Sequence, residues 1–134
     1  MKRLIVGLIS ALLMTAGLVG VSQVPASACP YTGCVPTTTR VTVPNAPVAR
    51  GTRAKVCVRV TTPGSGVPKG RVTATVKGNN GWMWSATKKY RGGQICFTSR
   101  KIKRAGEYSA RGIFSPFSSS PFGSSRGSKS FRVV

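Results

Sequence analysis

Short runs of alternating apolar and polar residues, broken by turn residues, fill the chain from about residue 37 onward. The run 37–43 alternates, and 52–60 does so more clearly. There Ala54, Val56, Val58 and Val60 take one face, and Arg53, Lys55, Cys57 and Arg59 the other. Val72, Ala74 and Val76 alternate with Arg71, Thr73, Thr75 and Lys77. Ile95 and Phe97 flank Cys96. Tyr108, Ala110, Gly112 and Phe114 alternate with Ser109, Arg111 and Ile113, and Phe131 and Val133 close the chain. A period of two at this spacing predicts an all-β, antiparallel sandwich or barrel whose strands each bury one face. No sustained helical period appears after residue 37. Residues 62–66 (TPGSG) form a turn cluster, and Asn80-Gly81 predicts a tight hairpin.

The first 28 residues follow a different pattern. Lys2 and Arg3 precede an uncharged apolar stretch over 4–21, and Ala26-Ser27-Ala28 supplies small residues before Cys29. That sequence predicts a cleavable signal peptide over 1–28 and an extracellular or wall-associated protein. Lipidation of Cys29 is the alternative fate of the same site, but Ala26 stands where such sites usually carry Leu. Cleavage leaves 106 residues with 19 basic side chains and one acid, a net charge of +18 (the +20 of the whole chain less Lys2 and Arg3). One domain fits this length, with a core small enough to profit from a covalent crosslink. Four cysteines, Cys29, Cys34, Cys57 and Cys96, are an even set for an oxidising compartment. Their spacing and the absence of histidine argue against zinc.

From 37 to 134 the chain resembles one bacterial immunoglobulin-like domain of the kind repeated in secreted and surface proteins. The resemblance rests on Thr62-Pro63, Gly66, Pro68-Lys69-Gly70 and Val72, and on Ala105-Gly106-Glu107-Tyr108-Ser109-Ala110 followed by Phe114-Ser115. It implies an Ig-like sandwich of about seven strands over 37–134 and a spacer or adhesion role rather than a chemistry. It also implies that Cys57 and Cys96 lie on the second and fifth strands, neighbours in one sheet. A cross-strand disulfide on the solvent side of that sheet is then expected, at a non-hydrogen-bonded pair. Cys29 and Cys34 would close a small loop within an N-terminal segment over 29–36. The chain departs from the family in its strong basicity and in the sequence 115–129, SPFSSSPFGSSRGSK, which is expected to be a long loop.

Glu107 is the only acid and there is no histidine, so catalytic triads, Cys-His pairs and paired carboxylates are all missing. No enzyme activity, cofactor or metal is expected. Ser85-Ala86-Thr87-Lys88 matches the Ser-x-x-Lys of penicillin-recognising enzymes, but its companion motifs are absent, and chance in a Ser- and Lys-rich chain accounts for it. The surface remains. Polyanion-binding candidates are Arg53, Lys55 and Arg59 on the second strand, with two denser clusters, Lys88, Lys89 and Arg91, then Arg100, Lys101, Lys103 and Arg104. The two clusters flank the Cys96 strand and are expected to converge at one end of the sandwich. Trp82 and Trp84 share a strand face and are assigned to the core, with an exposed platform for a sugar or nucleobase as the alternative.

A charge of +18 exceeds what solubility requires and creates a field that concentrates polyanions. The expected partners are anionic cell-envelope polymers such as wall teichoic acids, or lipid headgroups, with nucleic acid bound only non-specifically. The alternative function is a secreted cationic antimicrobial or toxin-like protein acting on anionic membranes, with Phe117 and Phe122 as candidate wedges.

Overall fold

A computed structural model describes residues 33–134; the signal-peptide assignment over 1–28 and Cys29 lie outside the described residues. The described chain is a two-sheet antiparallel sandwich of seven strands and no helix. In chain order these are β1 (Thr38–Thr42), β2 (Arg53–Thr61), β3 (Gly70–Gly78), β4 (Met83–Tyr90), β5 (Gln94–Lys101), β6 (Gly106–Pro116) and β7 (Ser125–Val133). One sheet has the order β1-β2-β5 and the other β4-β3-β6-β7. β4 therefore pairs with β3, across the sandwich from β5, although only residues 91–93 separate β4 from β5.

The alternation read from the sequence sets the two faces. Val56, Val58, Val72, Val76, Phe97 and Phe114 are fully buried between the sheets, with Tyr90 and Ile102 at the ends of the core. The connection after β1 changes sheet: Val48 pairs in parallel with Val133, donating to the Arg132 carbonyl and accepting from the Val134 N–H. Residue 35 does the same against 121–123, so the chain is tied to the four-stranded sheet before β1 begins.

Three local defects in the ladders are repaired by side chains, as the cost of burying unpaired backbone groups requires. Register shifts between Arg53 and Lys55, leaving Ala54 without a β5 partner. The Ser99 hydroxyl accepts the Ala54 N–H at 3.0 Å, and the Asn45 amide bridges the Arg53 carbonyl and the Lys55 N–H at 2.9 Å each. Where β5 has not yet begun, the Tyr90 hydroxyl replaces its rung. It accepts from the Val60 N–H at 3.0 Å and donates to the Gly93 carbonyl at 2.6 Å. At the start of β6, the Tyr108 hydroxyl donates to the Arg104 carbonyl at 2.9 Å, the geometry of a tyrosine corner.

Cys57 and Cys96 are bonded across β2 and β5 as directly opposed residues, with alpha carbons 4.0 Å apart. That closeness marks a non-hydrogen-bonded pair, which stands nearer than the ~5.5 Å of a hydrogen-bonded one. The bond lies on the outward face of the sheet, as expected, and is covered there by its neighbours: Cys57 is only 2% exposed. β2 is the central strand of its sheet, so Thr42 and Cys96 stand beside Cys57, and Lys55 and Arg59 lie along the strand. Cys34 is disulfide-bonded as well, while its expected partner lies outside the described residues.

The expected long loop over 115–129 is much shorter. β6 runs to Pro116 and β7 starts at Ser125, leaving only 117–124 between them. The sequence hid β7 because its inward positions include Gly127 and Lys129 rather than a run of apolar residues. Gly127 is required where it stands: a Cβ there would overlap the Thr39 carbonyl oxygen of β1. Phe122 packs partly buried against the core beside Gly66, while Phe117 stays exposed.

The disulfide closes a loop of 39 residues of sequence separation. Replacing Cys57 and Cys96 together by Ala should lower stability by about 2–4 kcal/mol. Equilibrium urea unfolding at fixed pH measures this, and an unchanged midpoint would show that the crosslink constrains nothing the sheet had not already fixed.

Candidate polyanion-binding site

The ten cations named from the sequence fall in three places, and they do not form one site. Arg53, Lys55 and Arg59 lie on the outer face of the three-stranded sheet. Lys88, Lys89 and Arg91 lie where β4 turns into β5, and Arg100, Lys101, Lys103 and Arg104 where β5 leads to β6. The expected convergence of the last two clusters does not occur. β5 runs between them, and its eight residues hold them about 20 Å apart at opposite ends of the sandwich.

Several of these cations are occupied within the fold. β4 and β5 are edge strands of different sheets, so the seam between them exposes backbone carbonyls. Lys88 points inward from β4 in the alternation that also aims Trp84, Ala86 and Tyr90 inward. Its ammonium donates to the Cys96 carbonyl at 2.9 Å and lies 5.1 Å from the Phe97 ring centroid. In the other direction Arg100 donates from β5 to the Met83 carbonyl at 3.2 Å. Arg53 donates weakly to the Ser99 carbonyl at 3.4 Å. The Ser85–Lys88 spacing is structurally idle, since the two side chains leave opposite faces of β4.

The β5 end carries a cleft. The β3–β4 hairpin closes over residues 79–81, a three-residue loop that includes the expected Asn80-Gly81 pair. Gly81 donates to the Gly78 carbonyl at 3.2 Å and takes a φ of 78°. Facing it is the link between β5 and β6. Between them opens a cleft of about 670 Å³ lined by Asn80, Gly81, Trp82 and Tyr108 on one side and by Arg100, Lys101, Lys103 and Arg104 on the other. Tyr108 holds the two sides in register. Its hydroxyl accepts from the Asn80 amide at 3.0 Å while donating to the Arg104 carbonyl, and the Asn80 oxygen accepts the Trp82 N–H at 3.0 Å. Trp82 meets Tyr108 edge to face, ring centroids 5.9 Å apart. Trp82 and Trp84 are both half-buried against the core, so the core assignment holds in part, and Trp82 also floors the cleft.

No carboxylate lines this cleft. Glu107 bonds Arg132 at 2.6 Å on the outer face of the four-stranded sheet, with both side chains more than half exposed. Among the described residues no group of three or more His, Cys, Asp or Glu is placed to hold a metal ion. No described helix is long and apolar enough to cross a membrane.

Of the outer face of the four-stranded sheet, the sequence-derived set held only Lys89. Register places Lys89 beside Arg71, Arg111 between Thr75 and Ser128, and Arg126 beside Ile113. Thr73 and Thr87 are hydrogen-bonded at 2.8 Å, and Thr75 and Ser85 at 3.1 Å. The alternation puts Arg71, Lys77 and Arg111 outside, and the usual Ig-like strand order implies that Arg111 and Arg132 extend the side of Arg71 and Lys77, as the β3–β6 pairing shows; Arg126 is the addition.

No family model matches the chain, and no curated protein matches it. Among solved structures, a conjugative transposon lipoprotein from Bacteroides eggerthii is similar at 14% identity and a TM-score of 0.44, covering 72% of this chain and 96% of that one. A Bacteroides uniformis beta-glucuronidase 2 is similar at 10% identity and a TM-score of 0.43, covering 69% of this chain and 12% of the enzyme. At these scores neither likeness carries an inference about activity, ligand or location.

Replacing Tyr108 by Phe removes the hydroxyl that joins Asn80 to Arg104 while keeping both aromatic contacts. The variant should lose about 1–2 kcal/mol in urea unfolding, because two partly buried partners lose their bond. Stability equal to that of the parent would show that water replaces the hydroxyl and that the corner does not set the cleft.

Proposed function

We propose that this protein is an exported, Ig-like binding module that associates electrostatically with anionic cell-envelope polymers, in an adhesive or wall-associated role. The Ig-like assignment is supported by the tyrosine corner at Tyr108 and by the passage of the 35–48 segment from one sheet to the other. The observation that carries the functional reading is the acid-free cleft. Four cations meet there around an aromatic floor, and the chain's one carboxylate is engaged elsewhere by Arg132. Preorganised cations without a nearby anion lower the cost of taking up a phosphate, since no internal pair has to be broken first.

Membrane disruption is less well supported by the same surfaces. Of the two loop aromatics, Phe122 is docked on the sandwich and Phe117 alone is exposed, at 39%. Both outer sheet faces are polar and cationic, which suits contact with a hydrated polymer better than burial in an acyl boundary.

Binding of purified anionic wall polymer should fall steeply with salt. Engagement of about six phosphates predicts a loss of about two orders of magnitude or more between 50 and 200 mM salt, through release of counterions. Isothermal titration at several salt concentrations reads the slope. Affinity that barely changes with salt would defeat an electrostatic mechanism, and dye release from anionic vesicles at the same protein concentrations would favour the antimicrobial reading.

A further inference from the structure

The cations outside the cleft are not scattered on the four-stranded sheet. From Arg126 on β7, one strand over and two residues along leads to Arg111 on β6, and the same step leads to Lys77 on β3. Each step spans about 8 Å, given strands ~4.8 Å apart and a rise of ~3.3 Å per residue. All three alternate with buried positions and are exposed. Lys77 is followed by Gly78 and then by the hairpin loop whose Asn80, Gly81 and Trp82 wall the cleft. The diagonal therefore leads from the β7 edge towards the cleft; Glu107, one strand over and two residues along from Lys77, stands beside its end and is engaged by Arg132.

Hydroxyls fill the ground between these cations. Ser109 and Ser130 lie beside Lys77, Thr75 and Ser128 flank Arg111, and Ile113 is the one large apolar neighbour of Arg126. No aromatic side chain stands on this face. A single-stranded nucleic acid is held by successive stacking platforms along a basic groove, and here only Trp82, at one end, offers a ring. A face of alternating cations and hydroxyls instead complements a chain that alternates phosphates with hydroxyl-bearing carbons.

We propose that the diagonal Arg126–Arg111–Lys77 and the Trp82 cleft form one continuous site for a polyol-phosphate chain, with the cleft receiving a sugar substituent of that chain. The cleft volume of about 670 Å³ falls within the ~300–1,000 Å³ of small-ligand sites. Trp82 supplies the apolar floor for the pyranose ring, Asn80 lies beside it as a polar partner, and Lys103 and Arg104 face the adjoining phosphate. This rests on the polyanion reading above and narrows it to one polymer class and one path.

The test uses the disulfide-bonded protein and four probes of matched total charge: a glycerol-phosphate oligomer, the same oligomer carrying glucosyl groups, inorganic polyphosphate and oligothymidylate. Calorimetry gives affinities, and tryptophan emission reports on the cleft. The glucosylated oligomer should bind tightest, about tenfold above polyphosphate, with a change in emission that Trp82→Phe reduces. Lys77→Gln with Arg111→Gln should weaken oligomer binding about tenfold. Lys55→Gln with Arg59→Gln, which removes the same charge from the other sheet, should cost less than about threefold. Trp82→Phe should also reduce the preference for the glucosylated probe, whereas Lys103→Gln with Arg104→Gln should weaken both glycerol-phosphate probes alike and leave a folded protein by circular dichroism. Equal affinity for all four probes, or equal losses in the two sheet-face variants, would overturn the directed site while leaving general polyanion binding intact. Tightest binding of oligothymidylate would overturn it in favour of nucleic acid. Failure of every probe to bind would overturn the electrostatic function itself.

Discussion

Like-charge repulsion is the condition under which the rest of this molecule is arranged. Nineteen cations and one carboxylate share the residues after 28, so almost no cation can be neutralised by a side-chain partner. Two physical outlets remain. Some cations are pointed at backbone carbonyls, which are acceptors that every strand edge supplies. The others are held apart on outward positions, where water screens them. Neither outlet adds much cohesion. The covalent bond from Cys57 to Cys96 and the valine-rich interior must therefore hold the sandwich against its own field.

The two open sides of the sandwich are closed by opposite means. At the β1–β7 side the sheets come so close that Gly127 has no room for a side chain. There the Thr37 and Thr39 hydroxyls meet the Ser125 hydroxyl at 2.7 Å each. At the β4–β5 side the gap is wider and is bridged by Lys88 and Arg100, each reaching the other strand's carbonyl. Lys88 also serves as an inward-pointing charge on an edge strand, and Lys129 holds the corresponding position on β7 at the other edge of the same sheet. Charges so placed obstruct edge-to-edge pairing with a second copy. A sandwich with four edge strands and a single acid uses its surplus residue type for this purpose.

Strand faces were legible in the sequence because a period of two needs no knowledge of partners: Val56, Val58, Val72 and Val76 are inside as their alternation requires. The Cys57–Cys96 bond was legible only through the family resemblance, which supplied the neighbourhood of the second and fifth strands. The missing information was relational. Parity showed that Arg71 and Arg111 point outward and the family's strand order put them on one side, but only the β6–β7 register brings Arg126 onto that surface. The two dense clusters looked adjacent because they flank one strand, yet a strand separates what it flanks. Only the end of β7, at Phe131 and Val133, was visible, because its edge position lets Ser125, Gly127 and Lys129 stand where a central strand would need apolar side chains. The cleft was hidden for a similar reason: it is made by one hairpin loop and one crossover between the sheets, joined by one hydroxyl.

That hydroxyl links the fold to the function. A tyrosine corner pins the start of β6 to the loop before it, and the fold needs such a pin wherever a chain crosses between sheets at this position. Here the same oxygen also accepts from Asn80, so the pin reaches across to the β3–β4 hairpin, and the ring beneath it stacks on Phe131 and meets the edge of Trp82. The wall that carries Lys103 and Arg104 is therefore positioned by a contact that stabilises the domain. The cations themselves need not be rigid, because the backbone bearing them is. A binding surface assembled this way requires no dedicated scaffold beyond the sandwich, and its charge can vary at Lys101, Lys103 or Arg104 without disturbing the corner, which uses only the Arg104 carbonyl.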